Sequence, residues 1–324
     1  MTLQSVASDK PALRIQRVKV RILNTLLMEK VYHLVKYCAM GLRPSVALAD
    51  SNINGEPRGI PMTNEAVLLV AHGTRDPGNE GNREVEGLAE VWRGRHPTMD
   101  IQLCWIEHAP VLLEEGMDRA AADLGDAGGR LLVLPLILNA AGHVKSDIPQ
   151  AIEVARARYP KVEFRYGHHL GTTDQMLKAL RYRLHQAMIE LAMPDPRTTG
   201  VVLLARGASD IEATGEVAKM AHWLYETTRH DLVLPAFTDV SFPRLEQVVQ
   251  RLDRLGMSQL IVLPYYLFTG RLIKRIERQV ERLGSQYPNR VIAQADYIGA
   301  HEQLLDLLDL RLQQCREGKR PASL

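Results

Sequence analysis

The sequence predicts an α/β protein of two similar lobes, each with a parallel four-stranded sheet flanked by helices, and with a cleft between the lobes. Two observations support this prediction. From residue 65 onward, short apolar runs alternate with stretches whose apolar residues recur at helical spacing. Such alternation implies crossover connections and parallel sheets. The second half of this region then repeats the order and the local motifs of the first half, which a duplication explains most simply.

The elements of the first lobe follow from their apolar patterns. Ala66–Ala71 is a short apolar run, as in strands that are buried on both faces. Ser146 is the predicted N-cap of the helix that follows the third strand. Strands are predicted over Ala66–Ala71, Ile101–Ile106, Arg130–Leu138 and Val162–Tyr166, and helices over Gly81–His96, Val111–Leu124, Asp147–Arg158 and Asp174–Leu191.

The second lobe repeats this order after a linker at Pro194–Thr199. Its VVLLARGASD segment copies the first strand and loop, AVLLVAHGTRDP, and its LIVLPYYLFTGRLIKRI segment copies LLVLPLILNAAGHVKSDIP. The predicted boundaries are 63–193 for the first lobe, which carries the active site, and 198–324 for the degenerate repeat. Strands are predicted over Val201–Ala205, Leu232–Phe237, Leu260–Leu267 and Arg290–Asp296, and helices over Ile211–Thr228, Pro243–Leu255, Arg271–Leu283 and His301–Cys315.

Residues 1–62 are predicted to be a non-catalytic N-terminal extension. Residues 1–61 contain nine Lys and Arg against four acids, and Val18–Tyr37 has the pattern of an amphipathic helix. Basic amphipathic starts target plastids in some proteins, but the acids weigh against a transit peptide here. We therefore expect a cytoplasmic protein, with a plastid location as the alternative if the extension is a transit peptide.

The composition excludes several function classes. A hydrophobic content of 46% and a charged content of 24% are typical of soluble globular proteins. The net charge of +2 is too small to indicate nucleic-acid binding, and no apolar run is long enough to cross a bilayer. Cys38, Cys104 and Cys315 form no CxxC or paired pattern, which favours a reducing compartment. We expect neither nucleic acid nor a membrane as a partner.

Three side chains that can handle a metal ion follow three successive strands of the first lobe. His72 follows the first strand, Glu107 the second and His143 the third. The carboxyl ends of parallel strands share one edge, where α/β proteins bind their ligands. Two imidazoles and a carboxylate suit a borderline divalent metal such as cobalt, iron, nickel or zinc, and three ligands leave a position open for reaction. The imidazoles can also accept protons near neutral pH.

Each of these residues also has a structural interpretation. A single histidine at a strand end is often a hydrogen-bonded loop residue, and Glu107 alone is equally well a solvated carboxylate. What favours a site is that both histidines fall on the same predicted edge and that both are replaced in the repeat. Other histidines near this edge that could substitute as ligands are His108, His168 and His169.

The repeat places cations where the first lobe has its histidines. Arg206 takes the position of His72, and Arg271 takes that of His143. Across a shared cleft, these cations would surround the histidine pair, together with two further cations that neighbour the histidines. Such a density of cations suits a substrate with several carboxylates, because arginine binds carboxylate through a planar two-pronged fork. The predicted substrate-binding residues are Arg75, Lys145, Arg206 and Arg271.

The first-lobe motifs resemble the CbiX/SirB family of sirohydrochlorin chelatases. The resemblance is carried by AHGTRDP, by the glutamate in CWIEHAP and by AAGHVKSDIP, and it extends over nearly all of residues 65–315. The doubled layout is similar to the long, two-repeat members of the family. His72 and His143 match the family's active-site histidines and Glu107 its associated acid. The extension at 1–61 departs from the family pattern, and a histidine-rich stretch present in some members is absent.

The resemblance implies a class II chelatase fold and an enzyme that inserts a divalent ion into sirohydrochlorin, in cobalamin or siroheme biosynthesis. The ion, Co²⁺ or Fe²⁺, would be a substrate, and we expect no organic cofactor and no nucleotide hydrolysis, since no Walker loop is present. The repeats can complete the cleft within one chain, which allows a monomer. The alternatives are a non-catalytic metal or tetrapyrrole carrier and a phosphoryl or ester hydrolase. The absence of an RHG order and of a GxSxG elbow argues against the hydrolase.

Overall fold

The computed structural model describes residues 64–318, except residues 77, 126 and 192. Strands and helices alternate throughout this part of the chain. The strands are β1 (Glu65–Ala71), β2 (Asp100–Trp105), β3 (Gly129–Leu136), β4 (Val162–Tyr166), β5 (Thr199–Ala205), β6 (Val233–Phe237), β7 (Gln259–Pro264) and β8 (Val291–Gln294). The helices are α1 (Glu80–Arg95), α2 (Leu113–Asp123), α3 (Ile148–Arg158), α4 (Asp174–Ile189), α5 (Ile211–Thr227), α6 (Leu245–Arg254), α7 (Arg271–Gln286) and α8 (Glu302–Arg316).

The strands form two sheets of the same topology. The first sheet has the order β2-β1-β3-β4 and the second has the order β6-β5-β7-β8. Every neighbouring pair of strands is parallel. Helices flank both sheets, so the predicted fold class is confirmed. In each sheet the carboxyl ends of the strands lie at one edge, which is where the loops after β1, β2 and β3 come together.

Strand β1 shows how the sequence creates these layers. Val67 and Leu69 pack into a core on one face of the first sheet, whereas Leu68 and Val70 pack into a second core on the other face. All four side chains are fully buried. Because both faces of the strand are covered, its sequence is a continuous apolar run and lacks the alternation of a half-exposed strand.

The two lobes share a core that lies between the sheets. This core contains residues of both sheets and of α1, α4, α5 and α8. Helix α4 packs on β7, and α8 packs on β3, so the last helix of each repeat covers the sheet of the other repeat. The buried Trp92 of α1 donates its indole N–H to Asp309 of α8 over 2.7 Å. The exchange of helices joins the lobes and thereby fixes the two sides of the cleft relative to each other.

Two local predictions are wrong. The third strand of each lobe is shorter than predicted at its carboxyl end, because the apolar residues that follow β3 and β7 line a cleft instead of continuing the ladder. Ser146 is not an N-cap: the chain already coils in a π-helical turn at His143–Asp147, which continues directly into α3. The residue before α3 is Asp147, and it makes no side-chain capping bond.

Some predictions fall outside the described residues. These are the amphipathic helix at Val18–Tyr37 and the boundary of the N-terminal extension. The division of the chain at 193 and 198 stays a prediction about the limits of the two repeats. Among the helices that the structure describes, none has the length and hydropathy that a transmembrane span requires.

Candidate metal-handling site in the interlobe cleft

A cleft of about 1460 Å³ opens at the carboxyl ends of both sheets. The loops after β1, β2 and β3 line one side of it, and the loops after β5, β6 and β7, with the start of α7, line the other. Parallel topology explains this position, because it brings residues that are distant in sequence to the same sheet edge. The cleft is larger than the sites of drug-sized ligands, which reach about 1,000 Å³.

The structure brings together the three residues predicted to handle a metal. The rings of His72 and His143 meet edge to face, with centroids 4.9 Å apart and an interplanar angle of 79°. Glu107 Oε1 lies 3.7 Å from His72 Nδ1. The side chains of the two histidines are 36% and 39% exposed, so both rings remain accessible from the cleft.

Hydrogen bonds fix the tautomer of both histidines. His72 Nδ1 donates to the Gly73 carbonyl over 3.0 Å, and His143 Nδ1 donates to Asp147 Oδ2 over 2.6 Å. A carbonyl and a carboxylate can only accept, so each Nδ1 carries a proton, and in the neutral form of either ring Nε2 carries the lone pair. Metal-binding histidines are commonly held in this way by a carbonyl or carboxylate on the second ring nitrogen.

The surroundings of His72 favour its neutral form. Burial lowers the pKa of His72, and the nearby charges of His143 and Arg206 lower it further. The bond to the Gly73 carbonyl and the charge of Glu107 act in the opposite direction, but the net effect is a pKa below the usual value. At neutral pH the ring therefore offers a lone pair for a metal ion or a proton.

Glu107 contacts the protonated edge of His72. Its Oε1 faces Nδ1, whereas a metal bound by His72 would contact Nε2. Its other oxygen lies 3.0 Å from His108 Nε2, and Arg75 Nε lies 2.5 Å from that same nitrogen. Among the described residues, no group of three or more His, Cys, Asp or Glu side chains is arranged to hold a metal ion. Glu107 lines the cleft, but ligation by it as a third group would require its carboxylate to turn from Nδ1 of His72 toward the Nε2 atoms.

A glycine allows the loops after β1 and β2 to touch. Gly73 has a φ of +89°, and a Cβ at this position would lie 1.7 Å from the carbonyl oxygen of Glu107. The Glu107 N–H donates to the His72 carbonyl over 3.0 Å. Only glycine permits this close approach, and the contact sets the distance between His72 and Glu107.

The repeat preserves this backbone arrangement with other side chains. Gly207, which follows Arg206, also has a φ of +89°. The Asp239 N–H donates to the Arg206 carbonyl over 2.9 Å, as the Glu107 N–H does to that of His72. Asp239 is therefore the counterpart of Glu107, a correspondence that the sequence motifs alone did not reveal.

The predicted substrate-binding cations fall into two groups. Arg206 and Arg271 line the cleft, and Arg75 also lines it while contacting His108. Lys145 is not among the lining residues, because its ammonium pairs across the lobes with Asp210 (2.7 Å) and Glu212 (2.9 Å). Of the alternative ligands, His169 faces Glu216 at 3.3 Å, and among these alternatives only His108 lines the cleft.

Sequence reasoning missed several residues of this region. Asp147 could have been found from its spacing, because it follows His143 by one helical turn. Arg278 could have been found in the same way, since it continues the spacing of Arg271 and Arg275 along α7. The pairing of Asp76 with Lys274, 3.0 Å apart, had no signal, because it joins different lobes.

The fold and the cleft define a two-lobed α/β protein in which one lobe carries an imidazole pair and the other carries guanidinium groups. The family model CbiX matches residues 66–187 and again residues 200–315. The chain belongs to the CbiX family, and the resemblance seen in the motifs is confirmed.

Curated relatives and solved structures agree with this membership. The chain is 32% identical to the sirohydrochlorin cobaltochelatase of Priestia megaterium over 79% of this chain and 81% of that protein. It is 30% identical to the sirohydrochlorin ferrochelatase of Bacillus subtilis (strain 168) over 73% and 86% of the two chains. Its fold matches that of SirB from Bacillus subtilis with Fe³⁺ at a TM-score of 0.68 and 28% identity, covering 79% of this chain and 98% of SirB.

Proposed function

We propose that this protein is a sirohydrochlorin chelatase that inserts Co²⁺ or Fe²⁺ into the macrocycle, as a step of cobalamin or siroheme biosynthesis. The observation that carries the proposal is the pair of adjacent imidazoles, His72 and His143, at a large cleft in a chain of the CbiX family. The names of the curated relatives, a cobaltochelatase and a ferrochelatase, supply the substrate.

The reaction exchanges two pyrrole protons for one divalent ion. The imidazole lone pairs on the Nε2 atoms of His72 and His143 can bind the ion and accept protons, because both Nδ1 atoms are engaged as donors. Imidazole binds borderline divalent ions without holding them as tightly as thiolates do, which suits an ion that must be passed on. Metal and proton compete for the same nitrogens, so activity should fall as the pH drops below about 6.

We assign Glu107 to the same step. From its position beside the Nδ1–H edge of His72, its carboxylate stabilises the imidazolium that forms when His72 takes a pyrrole proton. Its predicted role as a third metal ligand requires a side-chain rotation from Nδ1 of His72 toward the Nε2 atoms of the histidines. Both roles are consistent with loss of activity in a Glu107→Gln variant, but only ligation predicts weaker binding of the metal alone.

Some of the proposed carboxylate-binding residues would first have to break an existing contact, and others would not. Arg206 and Arg271 line the cleft and can bind peripheral carboxylates of sirohydrochlorin directly. Arg75 would have to leave His108, and Lys145 would have to leave Asp210 and Glu212. We expect Arg206→Ala to weaken binding of the tetrapyrrole more than binding of the metal.

The test is multiple-turnover metallation of sirohydrochlorin, followed by the change in tetrapyrrole absorbance, with Co²⁺ and Fe²⁺ supplied separately under anaerobic conditions. A chelatase converts many equivalents, and the faster ion identifies the metal. A carrier, which is the second candidate, yields at most one equivalent. His72→Ala and His143→Ala should each remove most activity while the fold is kept, and near-normal turnover in either variant would remove that histidine from the mechanism.

We infer that insertion needs no organic cofactor and no nucleotide, and the assay above therefore contains neither. Both sides of the cleft come from one chain, so a monomer is sufficient for activity. We place the reaction in the cytoplasm, or in a plastid if residues 1–61 act as a transit peptide.

A further inference from the structure

Four arginines of the second lobe form a wall of the cleft. Arg206 lies in the loop after β5, and Arg271, Arg275 and Arg278 lie on α7; all four line the cleft. The spacing of the three helical residues, i, i+4 and i+7, places them on one face of α7. We call these four residues the arginine wall. It stands opposite the lobe that carries His72 and His143.

The arginine wall brings more cations than acids to its side of the cleft: among the described lining residues of that side, Asp239 and Glu277 are the acids. Within the described part of the chain, no carboxylate lies within ion-pair distance of any of the four guanidinium groups, whereas other cations at the cleft have partners. Lys274 pairs with Asp76 and Glu80, both at 3.0 Å. Arg75 contacts His108. A bound anion could therefore reach these four guanidinium groups without breaking an ion pair with a described carboxylate.

Arg271 stands in the first turn of α7, where a positive charge is unfavourable. Helix N-termini carry partial positive charge and are stabilised by acids in the first turn. The first turn of α7 contains no acidic residue and begins with Arg271, and its N-cap, Gly270, makes no side-chain capping bond. In contrast, α5 begins with Asp210 as a capping acid. Asp76 and Glu80 of the other lobe are engaged by Lys274 of this turn, so an anionic ligand at the cleft would supply the charge that Arg271 lacks.

Two elements direct their charge at one point of the cleft wall. Tyr266 lines the cleft, and burial raises the pKa of its hydroxyl to about 12. The charges of Arg206, from the β5 loop, and of Arg275, from α7, both oppose this rise, whereas the charge of Asp239 adds to it. The loop and the helix therefore both contribute positive charge at the same hydroxyl.

The repeat explains why the wall faces the metal-handling residues. Arg206, Asp239 and Arg271 occupy the positions that His72, Glu107 and His143 occupy in the first lobe. The backbone is kept between the His72 and Arg206 loops, whereas His143 begins a π-helical turn and Arg271 begins an α-helix. At both positions an imidazole that offers a lone pair is replaced by a guanidinium that only donates. The same structural position thus serves metal and proton exchange in one lobe and anion binding in the other.

We propose that the arginine wall selects macrocycles by the number of their peripheral carboxylates, with Arg275 and Arg278 as specificity-determining residues. This inference rests on the proposed function for the identity of the substrate. Free guanidiniums spread over a loop and two turns of helix can engage several carboxylates of one rigid ring at once. A macrocycle with fewer carboxylates leaves part of the wall unpaired and binds less tightly.

The experiment measures equilibrium binding of two metal-free porphyrins, one with eight carboxylates and one with four, by fluorescence titration. The full-length protein should bind the octacarboxylate about tenfold more tightly than the tetracarboxylate. In the double variant Arg275→Gln/Arg278→Gln, this preference should shrink to about twofold, and the dependence of the octacarboxylate Kd on salt should become shallower. A change in salt dependence is not expected from a purely structural defect.

A matched control removes the same charge outside the cleft. Arg282 lies further along the same face of α7 and Arg254 lies at the end of α6; both are exposed, and neither lines the cleft. The double variant Arg254→Gln/Arg282→Gln should keep the preference for the octacarboxylate. An equal loss of preference in both double variants would attribute it to net charge and overturn the inference, as would an unchanged preference in Arg275→Gln/Arg278→Gln.

The outcome is distinguishable from failure of the proposed function. If the protein turns over sirohydrochlorin but its porphyrin preference does not depend on Arg275 and Arg278, the selective role of the arginine wall is refuted and the chelatase function is supported. If the preference depends on these arginines but no turnover occurs with either metal, the selective role of the arginine wall is supported and the protein is a tetrapyrrole carrier.

Discussion

Replacing Gly73 with alanine tests how strongly the chemistry depends on the contact between the loops after β1 and β2. The new Cβ would lie 1.7 Å from the Glu107 carbonyl oxygen, and contacts below 3.0 Å do not occur for real Cβ atoms. The carbonyl must therefore retreat by at least 1.3 Å, which is the difference between 3.0 and 1.7 Å. A displacement of this size separates Glu107 from His72 and breaks the backbone hydrogen bond between them.

The cost in stability is moderate, and the cost in rate is large. A φ of +89° is unfavourable for alanine by about 1–2 kcal/mol, and the lost hydrogen bond adds about 1 kcal/mol. A domain with a typical stability of about 5–15 kcal/mol stays folded under this load. A shift of about 1 Å in an active site costs about 100-fold in rate, so we expect kcat to fall by about that factor.

The matched variant is Gly207→Ala, at the equivalent position of the second lobe. It has the same φ of +89°, but its new Cβ would meet Ser241 Oγ at 2.8 Å and the Asp239 carbonyl oxygen at 2.9 Å, so the required shifts are only about 0.1–0.2 Å. Urea unfolding measures the stability of both variants, and sirohydrochlorin metallation measures kcat. The reasoning is refuted if a folded Gly73→Ala protein keeps its kcat, or if both glycine variants lose kcat equally.

Three further predictions concern single contacts. Asp147→Ala removes the acceptor that fixes the ring of His143, so turnover should fall about tenfold or more. Asp147→Glu should restore turnover in part. Unchanged turnover in Asp147→Ala would show that the 2.6 Å contact does not orient the ring. Lys274→Met removes the ion-pair partner of Asp76, whose side chain is only 2% exposed. The urea midpoint of unfolding should therefore fall more than in the surface control Lys178→Met. Equal midpoints in the two variants would contradict this. Burial lowers the pKa of His230, so the unfolded chain takes up the proton first and the free energy of unfolding falls as the pH drops below about 6.5. His230→Asn can still donate to the Thr199 carbonyl and should flatten this loss of stability between pH 7.5 and 5.5. An unaltered slope of stability against pH would exclude His230 as its source.

The fold could be predicted from the sequence because local and global patterns agree in it. Strands such as β1 and β5 are continuous apolar runs, and the helices between them have apolar residues at helical spacing. The edge that holds His72, Glu107 and His143 follows from parallel topology alone. The prediction failed where an apolar residue serves the cleft instead of the core, as after β3 and β7, since hydrophobicity does not distinguish these two surroundings.

The geometry of the site could not be predicted, because it depends on which edge of each ring is engaged. The motifs predicted that Glu107 joins the histidines but not that it faces the protonated edge of His72. The ion pairs of Lys145 could not be predicted either, since its partners Asp210 and Glu212 belong to the opposite lobe. Long-range pairs of this kind depend on how the lobes pack, and the exchange of α4 and α8 between the sheets has no signature in the repeat itself.

The duplicated fold lets one enzyme separate two demands that conflict within a single site. Residues that handle a divalent cation and accept protons must be kept neutral, and burial keeps His72 so, with smaller contributions from the charges of His143 and Arg206. Residues that hold a polyanion must stay positively charged, and the two cations beside the histidines, Arg75 and Lys145, are engaged by His108 and by Asp210 and Glu212. In this chain the loops after β5 and β7 carry the guanidiniums on the opposite lobe, where they can attract the macrocycle and help to keep His72 neutral. Under the proposed function, the arginines that replace both histidines in the repeat would therefore add an anion-binding side to the same cleft.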